Sequence, residues 1–114
     1  MLGFTRWFPL SRLAVGDLPR GGAIPAAYAL RSASTGELLY IGSTGSLKQR
    51  IFGNFIGGVG GETTQRIHAL LFEDGNLDDV ELAWTETTTY RQHEAELKGE
   101  YCKIHGRLPK WTRL

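Results

Sequence analysis

Tyr28 and Tyr40 are separated by eleven residues, Gly42 follows two places after the second tyrosine, and Arg50 lies ten residues past it. Each of these residue types answers a need of phosphate-ester chemistry. The planar guanidinium of arginine grips two phosphate oxygens through a fork of donors, which the point charge of a lysine does not reproduce. A phenol can donate to, or accept from, a water or a phosphate oxygen. With a free pKa of about 10 it acts as a base at neutral pH only where a neighbouring cation or hydrogen bond favours the phenolate. A glycine among such groups lets backbone approach closely.

The elements that must position these residues can be read from periodicity. Ala26 to Arg31 and Glu37 to Ile41 are short extended runs joined by Ser34-Thr35-Gly36, the chemistry of a hairpin turn, so Tyr28 and Tyr40 fall on neighbouring strands. Ser46 followed by Gln49 matches a capping box, and Leu47, Ile51 and Phe55 repeat every four residues along the helix it would open. Arg50 and Asn54 share another face of that helix and can point together into a site. Gly57 to Gly61 interrupt the chain. A second helix then runs from Thr63 or Thr64 to Phe72 with Ile67, Leu70 and Leu71 buried, and Asp74-Gly75-Asn76 closes it. Val80, Leu82 and Trp84 alternate with Glu81, Ala83 and Thr85 as a half-buried third strand. Thr89 with Gln92 repeats the capping-box spacing before a last helix whose Tyr90, Leu97, Tyr101 and Ile104 share one face until Gly106 and Pro109 end it. The expectation is an α+β fold with a small three-stranded antiparallel sheet flanked by helices, in the order strand, strand, helix, helix, strand, helix.

A chain of 114 residues suits one domain, and 41% hydrophobic with 22% charged residues is ordinary for a soluble globular protein. The single cysteine, Cys102, excludes an internal disulfide scaffold and a zinc cluster, from which a cytoplasmic location is expected. No long apolar run suggests a membrane span, and residues 1–25 read as an N-terminal arm ahead of the body. The formal charge is only +1, but it is unevenly distributed. Residues 62–100 hold ten acids against Arg66, Arg91 and Lys98, whereas Arg6, Arg12, Arg20, Arg31, Lys48 and Arg50 face only Asp17 and Glu37 in the first fifty residues. Lys103, Arg107, Lys110 and Arg113 form an acid-free tail, so a folded chain could offer phosphate a basic face.

Ala26-Ala27-Tyr28, then Tyr40-Ile41-Gly42 and Arg50 at these intervals, resemble the signature of the GIY-YIG nuclease family, over residues 26 to 112. The resemblance implies a nuclease domain over residues 26–114, a divalent ion (Mg2+ or Mn2+), and hydrolysis of DNA by a water attacking phosphorus in line. It implies that Tyr28 is the general base, that Tyr40 orients the water or a phosphate oxygen, and that Arg50 holds the scissile phosphate. Asn54 would complete the catalytic set, and Gly42, Ser43, Lys48 and Thr112 would touch substrate. The metal ligand would be a glutamate on the last helix, with Glu94, Glu96 and Glu100 as candidates. Glu94 is preferred, because Leu97 and Tyr101 three and seven residues on place it at the edge of the buried face. Glu100, nine residues before Pro109, is its main rival.

The chain departs from the family pattern in three places. Ala26-Ala27 replaces the first Gly-Ile. Asn54 stands where His or Tyr is frequent, and an amide cannot shuttle a proton. Thr112 follows Leu108-Pro109-Lys110-Trp111 where Asn is usual, keeping a hydroxyl and losing an amide. These departures leave a second reading, a catalytically weak nucleic-acid-binding relative. Gly57 to Thr64 lacks the Gly-Lys-Ser/Thr ending of a phosphate loop and reads as a flexible connection with a threonine helix cap, though Arg66 could touch a DNA backbone. Trp7, Trp84 and Trp111 read as core and terminus anchors.

Overall fold

The computed structural model describes residues 4–112. In β2 (Ala26–Ser32) every residue but Arg31 is buried, because this strand runs through the middle of the sheet and both of its faces are covered. It pairs antiparallel with β3 (Leu38–Thr44) through the expected turn, where Gly36 takes φ 75° and the Gly36 N–H donates to the Ser32 carbonyl. Its other neighbour is the antiparallel strand β4 (Val80–Glu86), with Tyr28 opposite Trp84. The sheet has four strands rather than three, the fourth being β1 (Phe8–Pro9), in the order β1-β4-β2-β3. This added dipeptide pairs with Leu82 and Glu81. Proline is tolerated there because the outer side of an edge strand needs no N–H donor.

Residues 4–25 are therefore packed into the body. Leu10, Leu18 and Ile24 are buried in the main core, the Thr5 N–H donates to the Trp84 carbonyl, and Phe8 stacks on Trp84 at 5.1 Å. Met1 to Gly3 of the expected arm and Arg113 of the expected basic tail lie outside the described residues.

One face of the sheet carries the larger core. Tyr28, Leu30, Leu82 and Trp84 meet Leu47, Ile51 and Phe55 from the first helical segment and Ile67 and Leu71 from α1 (Glu62–Phe72). On the opposite face Ala27 and Ile41 meet Leu97 and Tyr101 of α2 (Tyr90–His105). Ala83 on β4 is buried too, contrary to the half-buried strand expected, because both faces of the sheet are covered. Ile104 departs from the expected buried face of α2 and is 78% exposed.

The first helical segment differs from the helix expected. From Gln49 to Ile56 it is a π-helix, ending in an i→i+5 bond from the Gly57 N–H to the Phe52 carbonyl. The four-residue spacing of Leu47, Ile51 and Phe55 keeps all three buried in this wider turn. The capping box at its start is half made, with the Gln49 N–H on the Ser46 hydroxyl at 3.4 Å. The connection that follows is clamped by side chains. Asn54 Nδ2 donates to the Val59 carbonyl at 2.6 Å and Gln65 Nε2 to the Gly58 carbonyl at 2.5 Å. The expected threonine cap is replaced by Gly61, without a side-chain capping bond. No helix among the described residues is long and apolar enough to cross a membrane.

Candidate active site

Tyr28 faces Gly42 directly across the β2–β3 ladder, and Tyr40 sits one position diagonal to it, opposite Leu30. A Cβ at Gly42 would stand 2.5 Å from Tyr28 Oη and 2.8 Å from Tyr40 Cε2, and the backbone of Gly42 is not in the left-handed region. Space, not conformational freedom, requires glycine here: the Tyr28 ring lies over its Cα. This differs from the expected role of Gly42 as a substrate contact. The two tyrosine rings stack at 6.1 Å, and Phe55 of the π-helix meets both edge-on.

Arg50 comes to this cluster from the π-helix, its Nη1 donating to Tyr28 Oη at 3.4 Å. Its Nε is buried and has no hydrogen-bond partner. Tyr28 is 0% exposed, and burial pushes its phenol far above its ordinary value; the Tyr40 phenol raises it further, and the Arg50 guanidinium pulls against both. Tyr40 is half-buried and its phenol is also raised, first by desolvation, with the Lys98 ammonium lowering it and the Glu94 carboxylate raising it. Both phenols are neutral at pH 7. A base role for Tyr28 therefore needs positive charge added beside it, because the resting environment favours the protonated form.

The acidic half of the site approaches from the other face of the sheet, around the edge strand β3. Ser43, which follows Gly42, donates to Glu94 Oε1 at 2.5 Å, and Lys98 Nζ donates to Oε2 at 2.5 Å. Glu94 is half-buried, whereas Glu96 and Glu100 are exposed, so Glu94 alone of the three stands against the sheet. One carboxylate with a neighbouring hydroxyl fits a hard divalent ion that keeps most of its water, provided the ammonium yields its place. No group of three or more His, Cys, Asp or Glu side chains with metal-binding geometry occurs among the described residues.

Several expected site residues have other partners. Asn54 is turned to the loop that follows, where its amide donates to the Val59 carbonyl. Thr112 Oγ1 accepts the Ile41 N–H at 3.3 Å, and the Trp111 N–H donates to the Leu39 carbonyl, so this segment covers the outer edge of β3. Ser43 positions Glu94 and does not stand free for substrate. Lys48 is exposed, its stem against Gly22. The basic surface expected from the first fifty residues is reduced, since Arg20 pairs with Glu86, and Arg31 pairs with Glu81 and lies over Trp7. Sequence reasoning missed Lys98, although its position four after Glu94 was a usable signal.

A cleft of about 520 Å³ lies elsewhere, lined by Ser32, Asp79, Asn76 and Trp111 among others, and includes none of Tyr28, Tyr40, Arg50 or Glu94. Hydrogen bonds from Ser32 and Ser34 hold the Asp79 carboxyl below its ordinary value and clasp the β2–β3 turn to the start of β4. Compared with known proteins, the chain matches no protein-family model, and no curated protein aligns with it.

Proposed function

We propose that the chain is a divalent-metal-dependent endonuclease hydrolysing DNA phosphodiester bonds, of the GIY-YIG type that Tyr28, Tyr40, Gly42 and Arg50 resemble. The observation that carries this reading is Arg50. Its guanidinium is half-buried against a neutral phenol, and its Nε has no partner. A buried donor left unsatisfied costs roughly 1–3 kcal/mol, more for a charged group, which an arriving phosphate oxygen would offset.

In this reading Arg50 grips the scissile phosphate and neutralises charge as it develops. Tyr40, half-buried, presents its hydroxyl to the same phosphate and to the attacking water, and Tyr28, buried in the resting chain, takes the water's proton as a phenolate once added positive charge has driven its own proton to solvent. Glu94, oriented by Ser43, would hold a divalent ion that supplies Lewis acidity and lowers the pKa of water. Arg66 on α1, whose Nε is also buried without a partner, is a further candidate for a backbone phosphate.

A second reading, a catalytically weak nucleic-acid-binding relative, is favoured by two observations: Asn54 and Thr112 are engaged in holding backbone. Supercoiled plasmid and branched DNA incubated with Mg2+ or Mn2+ separate the two. Nicking that chelator abolishes and that Glu94→Gln and Arg50→Ala lose supports the enzyme; salt-sensitive binding without nicking supports the second reading.

A further inference from the structure

Glu94 and Lys98 are spaced like an ordinary surface pair on a helix, a contact worth a few tenths of a kcal/mol. Three observations separate this pair from that kind. The Glu94 and Lys98 side chains are only 24% and 30% exposed. The second carboxylate oxygen is held from another element, by Ser43 of the edge strand. The ammonium also acts on Tyr40, where it is the strongest of the nearby charges. Both oxygens of the one half-buried carboxylate at the site therefore have a donor already. Lys98 on Oε2 stands where a cation would have to stand.

We propose that Lys98 is a placeholder cation: it neutralises Glu94 in the metal-free protein, and a divalent ion binds only by displacing it. The proposal rests on the reading of Glu94 as the metal ligand. A divalent ion and the ammonium compete for Oε2, because sharing one oxygen would hold their positive charges within a few ångströms of each other. Lys98 is thus a positioning residue that weakens metal binding. Once displaced, its ammonium remains one helical turn from Glu94 and beside Tyr40, able to meet an incoming phosphate.

The test is calorimetric titration of the full chain with MnCl2, without DNA, for the wild type, Lys98→Met, Lys98→Arg and Glu94→Gln, each first shown to be folded by circular dichroism. Lys98→Met should bind Mn2+ about five- to tenfold more tightly than the wild type, from the lost competitor and the removed repulsion. Lys98→Arg, which keeps the charge, should stay near the wild type, and Glu94→Gln should not bind. Lys98→Gln replaces Lys98→Met should the latter fail to fold. Equal or weaker Mn2+ binding by the charge-removed variant, with binding still dependent on Glu94, overturns the placeholder role and leaves the metal assignment standing. An absence of Mn2+ binding in the wild type and the charge-removed variant alike overturns both.

Discussion

Replacing Gly42 with alanine adds a single methyl at the point where the Tyr28 and Tyr40 rings meet the β2–β3 ladder. The new Cβ would lie 2.5 Å from Tyr28 Oη, 2.6 Å from Tyr28 Cζ and 2.8 Å from Tyr40 Cε2. Ordinary carbon contacts are about 3.5–4.0 Å, so the Tyr28 ring must retreat by roughly 1 Å. It has nowhere to go, since it is fully buried between Tyr40, Phe55 and the sheet. Overpacking of this kind costs about 1–3 kcal/mol, and the stiffer unfolded chain of alanine offsets about 0.4–1 kcal/mol of that. At an unfolding entropy of about 2.1 cal/mol/K per residue, a chain of 114 residues loses about 4 °C of Tm per kcal/mol, so a net cost of up to about 2.6 kcal/mol lowers Tm by up to roughly 11 °C. A shift of about 1 Å at a reacting group can cost on the order of 10²-fold in rate, so DNA cleavage should fall far more than stability does. Thermal melting by circular dichroism and plasmid nicking on the same samples measure both. In a Tyr28→Leu background, which removes the two closest atoms, most of the alanine penalty should vanish. A Gly42→Ala protein that melts and cleaves like the wild type would refute the placement of Tyr28 over Gly42.

Other outcomes follow from the same structure. The Tyr28 phenol is raised in the folded state, so its stabilising contribution is complete below the unfolded value of about 10 and is lost as pH rises through the folded value. Alkaline denaturation should thus steepen by up to about 1.4 kcal/mol per pH unit above pH 10, and Tyr28→Phe should remove that increment in parallel chemical melts. Asn54→Ala should loosen the loop around Val59, seen as faster amide exchange there, at a cost of about 1 kcal/mol, while cleavage changes less than about tenfold. Leu10→Ala should cost about 2–5 kcal/mol in urea unfolding, because Leu10 is a core residue and not part of a detachable arm.

The parts of the fold readable from sequence are those where one residue pattern has one structural meaning. Val80, Leu82 and Trp84 alternate and are buried together, and Leu47, Ile51 and Phe55 do the same at helical spacing. The π turn was not readable, since a four-residue apolar spacing is compatible with a normal and a widened turn alike. Strand β1 is two residues long and contains Pro9, too short for periodicity and against strand propensity; only its partner Glu81-Leu82 defines it. Ile104 fits the α2 face by spacing and is nevertheless exposed, whereas Leu97 on that face is buried. At the site, Tyr28, Tyr40 and Arg50, grouped by residue type and spacing, lie in contact with one another. Their electrical state was hidden, because the depth that keeps Tyr28 neutral comes from Phe55 and β4, remote in sequence.

Single-turnover cleavage of an end-labelled DNA duplex in Mg2+, comparing the wild type with Arg50→Lys and Arg50→Ala, tests the role of Arg50 most directly. Loss of a preorganised donor at a phosphoryl centre costs about 10²–10³-fold, so Arg50→Ala should fall by at least that much. Arg50→Lys should recover only a small part, because an ammonium cannot reproduce the planar set of donors that the guanidinium presents, one to Tyr28 and another unpartnered at Nε. Cleavage by Arg50→Ala at the wild-type rate, or no metal-dependent cleavage by the wild type, would contradict that role.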